Sequence, residues 1–420
     1  MKSKTITVFE HASLRISDAG SQLSTASLVA LQKFHGEECP YFSLIHYWVR
    51  FCEYVGVIQV GSTLIEVLPK ADKGGDTQEW RSMLIEMLKS VGSFDIYAPS
   101  SSSLKLKTNS ILELYFELFI HEIEYLLHRG LLKQYRKKTA NLTVLKGAIK
   151  FNQHLRFNLV HKELFFVEHT TYDVEHKIHF ILYKALKLLE HINTNPTLNS
   201  RICSLLLNFP EMPDIKINEA TFAALSLGKK AQTYTKSLEI SRLLLLNYHP
   251  DVAQGGNHVL ALMFDMNVLW EKFVYHALRK QMVRSNKQYT ISAQTSKYFW
   301  KPTTGRRTKI RPDMVINANQ ESCVVLDTKW KDLKGYSPST DDLRQMYVYY
   351  DYYRARKVAL MYPGGDASFK QGKYLDPKTQ LEIDKECSVI PLPVVKGNIR
   401  EWEKKIFACF LEWFEQESLK

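Results

Sequence analysis

Apolar residues crowd into two strand-like runs over 47–70, VRFCEYVGVIQV and STLIEVLP, and a two-strand pairing through Gly61 is expected between them. Thr77 then reads as the cap of an amphipathic helix, QEWRSMLIEMLKSV. The polar stretch 99–103 reads as a loop and a candidate boundary. The spacing predicts a long helix over about 110–137, apolar on one face. It ends in Lys133, Arg136, Lys137 and Lys138, where positive charge complements the helix dipole. Strand-like TVLKGAIKF and ELFFVEH follow over 141–170. Helical periodicity takes over across 173–249, in DVEHKIHFILYKALKLLEHI, RICSLLLNF and KSLEISRLLLLNY. Pro250 and Gly255-Gly256 mark the last boundary.

The remainder alternates. A helix, FDMNVLWEKFVYHALRKQM, precedes strand-like YTISAQ, KYFWKP, TKIRPDMVINA and CVVLDTKW. The helix DDLRQMYVYYDYYR leads to the strand KVALMYP, then to SVIPLPV and a C-terminal amphipathic helix, NIREWEKKIFACFLEWFEQ. The expected fold is thus α+β and multidomain. A β-rich N-terminal domain would occupy 1–165, with a long helix, and a helical middle region 166–255. A C-terminal α/β domain with a mixed central sheet would occupy 256–420. No internal repeat is apparent.

Composition adds a partner. The chain has 420 residues, 45% hydrophobic and 24% charged, the make-up of a soluble globular protein. Its 56 Lys and Arg against 44 Asp and Glu leave a net charge of +12, which favours nucleic acid or an anionic membrane. No run approaches the roughly 18 apolar residues of a membrane span, so nucleic acid is the expected partner. The six cysteines form no CxxC pair, which points away from a zinc ribbon and towards a reducing cytoplasm. There is no GxxxxGK[ST], hence no P-loop of its own. His121-Glu122 begins a zinc-protease-like pattern, but position 125 is Tyr rather than His.

The densest chemistry lies in RPDMVINANQESCVVLDTKW. Asp313 opens the apolar run Met314-Val315-Ile316, and after thirteen intervening residues Asp327 closes Val324-Val325-Leu326. Two strands joined by the polar turn between them would bring the aspartates to neighbouring positions. Alternation puts Asp327 and Lys329 on one face and Thr328 on the other. The preceding apolar run predicts a strand buried on both sides, where a charge is costly unless it binds something. Phosphodiester hydrolysis suits these residue types. Two carboxylates can hold Mg²⁺ or Mn²⁺ through hard oxygens, and the cation activates water and neutralises charge. Lys329 can orient that water or stabilise the transition state. Gln345 and Tyr349, at i and i+4, share a helix face and are candidates to brace the site or hold DNA. Their tyrosine-rich surroundings also suit simple packing. Glu271, on the helix before the strands, is a candidate third metal ligand or a solvated surface carboxylate. Lys301, Arg306, Arg307, Lys309 and Arg311 suit a phosphate-tracking rim or an ordinary exposed hairpin.

These residues resemble the PD-(D/E)xK nuclease superfamily, and more narrowly the McrC family. RPD at 311–313, LDTKW at 326–330 and QMYVY at 345–349 carry the resemblance, flanked by FDMNVLWEKFV, LKGAIKFNQHL and VGVIQVGSTLIEVLPK. It runs from about residue 45 onward. It implies a Mg²⁺-dependent DNA endonuclease subunit with a PD-(D/E)xK core. That subunit would work in the cytoplasm with a McrB-like AAA+ GTPase in defence against modified foreign DNA. It also implies that the β-rich N-terminal region docks on the partner ring and stimulates its GTPase. A stand-alone repair or mobile-element nuclease of the same superfamily is an alternative. A non-catalytic scaffold or GTPase-activating subunit is another.

Overall fold

The computed structural model describes residues 4–15, 23–35, 39–46, 48–61, 63–70, 76–91, 111–249, 259–285, 289–331, 337–364, 368–395 and 398–416. The boundaries expected at 99–103 and at Gly255-Gly256 lie outside these residues. The chain divides into two compact units, one spanning 106–262 and the other 2–105 together with 263–420. Three consecutive segments were expected. The residues before 105 instead share a unit with those after 263.

In the first unit the helix Ile111–Arg129 stops well short of 137. Gly130 takes a left-handed φ of 87°, and the chain re-emerges as the strand Gln134–Leu142. The expected basic helix end is therefore a strand, where Arg136 ties itself to Asp173 at 3.0 Å on the paired strand Phe165–Asp173. The expected strand through 143–151 is reduced to Ala148–Ile149 and gives way to the helix Phe151–Asn158. Gly147 makes that turn, with φ 82°. A Cβ there would sit 2.3 Å from the Glu168 carbonyl oxygen. The helices Lys177–Ile192, Pro196–Asn208 and Thr235–Leu246 follow as their periodicity requires, with a buried stripe of Ile181, Leu182, Leu186 and Leu189 in the first.

The second unit opens with one strand that the sequence did not announce, Lys4–Phe9, beside the pairing through Gly61 that it did. Lys4–Phe9 runs parallel to Thr63–Leu68, which pairs antiparallel with Tyr54–Val60 through the turn at Gly61, φ 55°. The helix Thr77–Ser90 covers them. Its N-cap is Asp76, whose side chain accepts from Gln78 N, rather than Thr77.

A six-stranded mixed sheet lies further along the same unit. Its order is Ile291–Ala293, Met314–Ile316, Val324–Thr328, Lys357–Gly364, Glu382–Pro393, Lys370–Leu375. The three middle strands are mutually parallel, and the outer pairings are antiparallel. The helix Thr340–Tyr353 packs on one face, burying Met346, Tyr349 and Tyr353 against Val315, Val325, Val358 and Leu360. Elsewhere in the unit, Met266–Arg284 and Ile399–Glu415 pack together through Phe273 and Trp402, whose rings are 4.5 Å apart.

Candidate active site

Val324–Thr328 is buried along its whole length, so the continuous apolar run was a true signal of a covered strand. Val325 belongs to the layer under the helix Thr340–Tyr353, and alternation returns the chain to that face at Asp327. The strand ends there with a carboxylate that is 2% exposed. Met314 lies opposite Leu326, so Asp313 arrives beside the end of the same strand. Its Oδ2 accepts from Thr328 N at 2.7 Å and from Thr328 Oγ1 at 2.8 Å. Thr328 therefore does more than face the opposite layer; it fixes the first aspartate.

Lys329 closes the arrangement. Its Nζ lies 2.8 Å from Asp327 Oδ2 and donates to Gln345 Oε1 at 3.2 Å. Gln345 Nε2 donates to the Tyr349 hydroxyl at 2.8 Å, and that hydroxyl donates to the Arg311 carbonyl at 3.1 Å. The i, i+4 pair thus links the lysine to the backbone two residues before Asp313. The tyrosine is both packed and hydrogen-bonded, so the two readings of this helix face are compatible.

Glu271 accepts from Gln294 Nε2 at 2.9 Å, while Gln294 N donates to the Asp313 carbonyl at 2.9 Å. Sequence reasoning missed Gln294 and also Asp342, which lies 3.7 Å from the Lys329 ammonium and accepts from the Tyr362 hydroxyl at 3.2 Å. Asp342 stands at i−3 from Gln345 and could have been read from that spacing.

The electrostatics are unbalanced. Burial, then the charge of Asp313, pushes the Asp327 carboxyl up to about 7, against the opposing pull of Lys329. Burial also raises Asp313. Glu271 is raised first by burial and then by Asp313, which puts it within electrostatic reach of the pair. Burial works against the Lys329 ammonium, but the Asp327, Asp342 and Asp313 carboxylates hold its pKa above the ordinary lysine value. The buried Asp327 and the half-buried Asp313 both feel the one Lys329 ammonium, and an added cation would relieve their repulsion. Their hard oxygens fit a divalent metal of the Mg²⁺ class. No three His, Cys, Asp or Glu among the described residues are gathered as a metal-holding group, so water would supply remaining ligands. An open groove of about 810 Å³ runs alongside, lined among others by Gln294, Phe299, Lys309, Arg311, Arg344 and Gln345.

The fold and site together define an α+β protein whose mixed sheet ends in two neighbouring carboxylates, Asp327 buried against Lys329 and Asp313 held by Thr328. The family model "McrBC 5-methylcytosine restriction system component" matches residues 49–363, and the chain belongs to that family, as its resemblance to McrC implies. A chain in the refined half-complex from a tetradecameric assembly of Thermococcus gammatolerans McrB AAA+ hexamers with bound McrC has the same fold. Its TM-score is 0.71 at 20% identity, over 98% of this chain and 100% of that one. A chain in the cryo-EM structure of the Thermococcus gammatolerans McrBC complex matches at TM-score 0.51 and 19% identity, over 66% of this chain and 88% of that one. No curated protein matches. Among the described residues, no helix is long and apolar enough to cross a membrane.

Proposed function

We propose that this chain is the DNA-cleaving subunit of an McrBC-type restriction complex, with a PD-(D/E)xK core and a requirement for Mg²⁺ or Mn²⁺. The observation that carries the reading is the buried Asp327 beside the half-buried Asp313, with Lys329 at the same strand end. Asp313 and Asp327 would hold the cation, with Glu271 as a third carboxylate nearby. When bound, it would activate water and offset phosphate charge. Lys329, fixed by Asp327 and Gln345, presents its ammonium to the attacking water or to a phosphoryl oxygen. Tyr349 and Gln345 act as positioning residues by holding that ammonium in place. The groove beside them, with Lys309, Arg311 and Arg344, suits a polyanionic backbone.

The partner would be a McrB-like AAA+ GTPase. Support comes from the assembly in which the fold relative is found and from an unusual surface on the first unit. Val144, Leu145, Phe151, Leu155, Leu159 and Val160 are 55–83% exposed on and around the helix Phe151–Asn158. So much open apolar surface on one short stretch marks an interaction site. It lies within the region expected to dock on the ring and stimulate GTP hydrolysis.

The test is cleavage of methylated and unmodified DNA by the chain co-purified with its AAA+ neighbour, with wild type beside Asp327→Asn. Cleavage by wild type alone, dependent on GTP and Mg²⁺, is expected. Equal cleavage by the variant would refute the active-site assignment. Cleavage by the chain without any partner would favour the stand-alone nuclease. Raised GTP turnover with no cleavage by wild type would favour the scaffold.

A further inference from the structure

Beyond the metal-binding strand end, the second unit carries a small hairpin, Lys297–Trp300 paired with Thr308–Ile310. It presents three consecutive aromatics to solvent: Tyr298, Phe299 and Trp300 are 58%, 44% and 59% exposed. Adjacent large aromatics in water need a reason, because each leaves apolar surface that folding could have buried. The surrounding charge narrows the reason. Residues 297–311 contain Lys297, Lys301, Arg306, Arg307, Lys309 and Arg311 and no acidic residue. The Arg307 guanidinium and the Lys309 ammonium lie 5.3 and 5.0 Å from the Tyr298 ring centroid. Phe299 leans on Tyr352, 5.3 Å between centroids, and lines the groove that continues to Gln345 and Tyr349.

A protein partner would satisfy the rings but not this run of cations, which has no acidic residue within it and of which only the last, Arg311, faces the carboxylates of Asp313 and Glu271. Duplex DNA would satisfy the cations but not the rings, because its bases already stack on one another. A nucleic acid with unpaired bases satisfies both, through phosphates on the cations and base faces on the aromatics. We propose that this hairpin is a base-stacking platform, with Tyr298 and Trp300 receiving unstacked bases of DNA whose backbone enters the adjoining groove. The substrate class of the site is then DNA locally opened near the cut rather than regular duplex. This inference rests on the nuclease reading for its meaning but not for its measurement.

Binding of the full-length chain to fluorescent DNA in EDTA, where nothing is cut, tests it. One probe is a regular duplex. The other carries a short unpaired bubble containing 2-aminopurine. Wild type should prefer the bubble by about tenfold and quench the 2-aminopurine, as expected for one stacked base. Tyr298→Ala with Trp300→Ala should lose the preference and the quenching, while Tyr298→Phe with Trp300→Phe keeps both. Arg306→Ala with Arg307→Ala should weaken both probes alike and lower the salt dependence. Equal binding of bubble and duplex by wild type, or no quenching, overturns the proposal without any variant. So does an alanine variant that melts like wild type and retains the preference. A chain that prefers the bubble yet never cuts with its partner refutes the nuclease reading and leaves the platform. A chain that cuts but shows no preference does the reverse.

Discussion

Two places in the second unit hold carboxylates against cations in different proportions. Glu66 and Glu403 are 0% and 1% exposed, and each has its own cation. Arg81 Nε donates to Glu66 at 2.8 Å, and Lys280 Nζ donates to Glu403 at 2.8 and 2.6 Å, with Ser90 Oγ adding a bond at 3.0 Å. At the strand end, Lys329 lies 2.8 Å from Asp327 and 3.7 Å from Asp342, which also draws on Lys331 at 3.7 Å, while Asp313 feels Lys329 and Arg311 only at longer range. A neutralised pair can be left alone in a core; an under-neutralised pair stores repulsion that only a bound cation removes. Burial alone does not distinguish structure from chemistry here. The ratio of carboxylates to cations does.

The largest expected effect lies on the under-neutralised side. Asp327→Asn should lower cleavage by at least ~10³-fold, the scale lost when a principal electrostatic or metal contribution is removed. Its melting temperature should be unchanged or higher, because the variant removes repulsion. Lys329→Ala should also abolish cleavage but leave divalent-cation binding measurable by calorimetry. Chelation should silence wild type, and Ca²⁺ should support DNA binding with little cleavage. Mg²⁺ should raise the melting temperature of wild type and not of Asp327→Asn, since only the intact pair gains ligation energy. A large destabilisation in Asp327→Asn would erase the contrast with Glu403.

The neutralised side should behave oppositely. Lys280→Met strands a buried carboxylate. Breaking a fully buried pair costs ~3–5 kcal/mol, and partial exposure of Lys280 reduces this to about 2 kcal/mol. Urea unfolding should detect that loss, while cleavage per folded molecule stays at the wild-type level. Loss of cleavage without loss of stability would mean that Lys280 belongs to the site.

What could be read from the sequence followed from how local each signal is. Asp313, Asp327, Lys329, Gln345 and Tyr349 were legible because apolar runs with a single polar turn fix their register, and helix spacing fixes the last two. Helices within 173–249 were legible for the same reason. The helix expected through 137 ended early because glycine geometry and the cross-strand Arg136–Asp173 pair outweighed a basic run that suits either element. The discontinuous second unit was illegible. It depends on parallel pairing of Lys4–Phe9 with Thr63–Leu68 and on Trp330 Nε1 donating to Glu10 at 2.7 Å, a contact across 320 residues. No periodicity encodes such a pairing. It also changes what truncation means: removing residues after 256 would strip Trp330, Trp402 and their neighbours from the unit that holds the N-terminal strands.

Glu10 supplies the smallest effect and the finest test of the contrast, since it is a third kind of buried carboxylate, 5% exposed and held by neutral donors alone among its hydrogen bonds. Its Oε1 accepts from Trp330 Nε1 and from Lys70 N, both at 2.7 Å. Burial pushes its pKa up to about 7, against the opposing pull of those two bonds. The folded state therefore holds a proton more tightly than the unfolded chain. The associated stability is fully present below about pH 4.5, the ordinary carboxyl value, and is lost as pH rises through about 7, at no more than ~1.4 kcal/mol per pH unit. Glu10→Gln keeps the acceptor for both donors and cannot ionise. In EDTA it should match wild type near pH 4.5 and unfold at higher urea near pH 8. The Asp327 contribution falls in the same window with the same sign, but it is present in both chains and cancels in their difference. A gap between the two unfolding midpoints that is equal at both pH values would show that Glu10 does not titrate, and that neutral donors suffice to hold a buried charge in this fold.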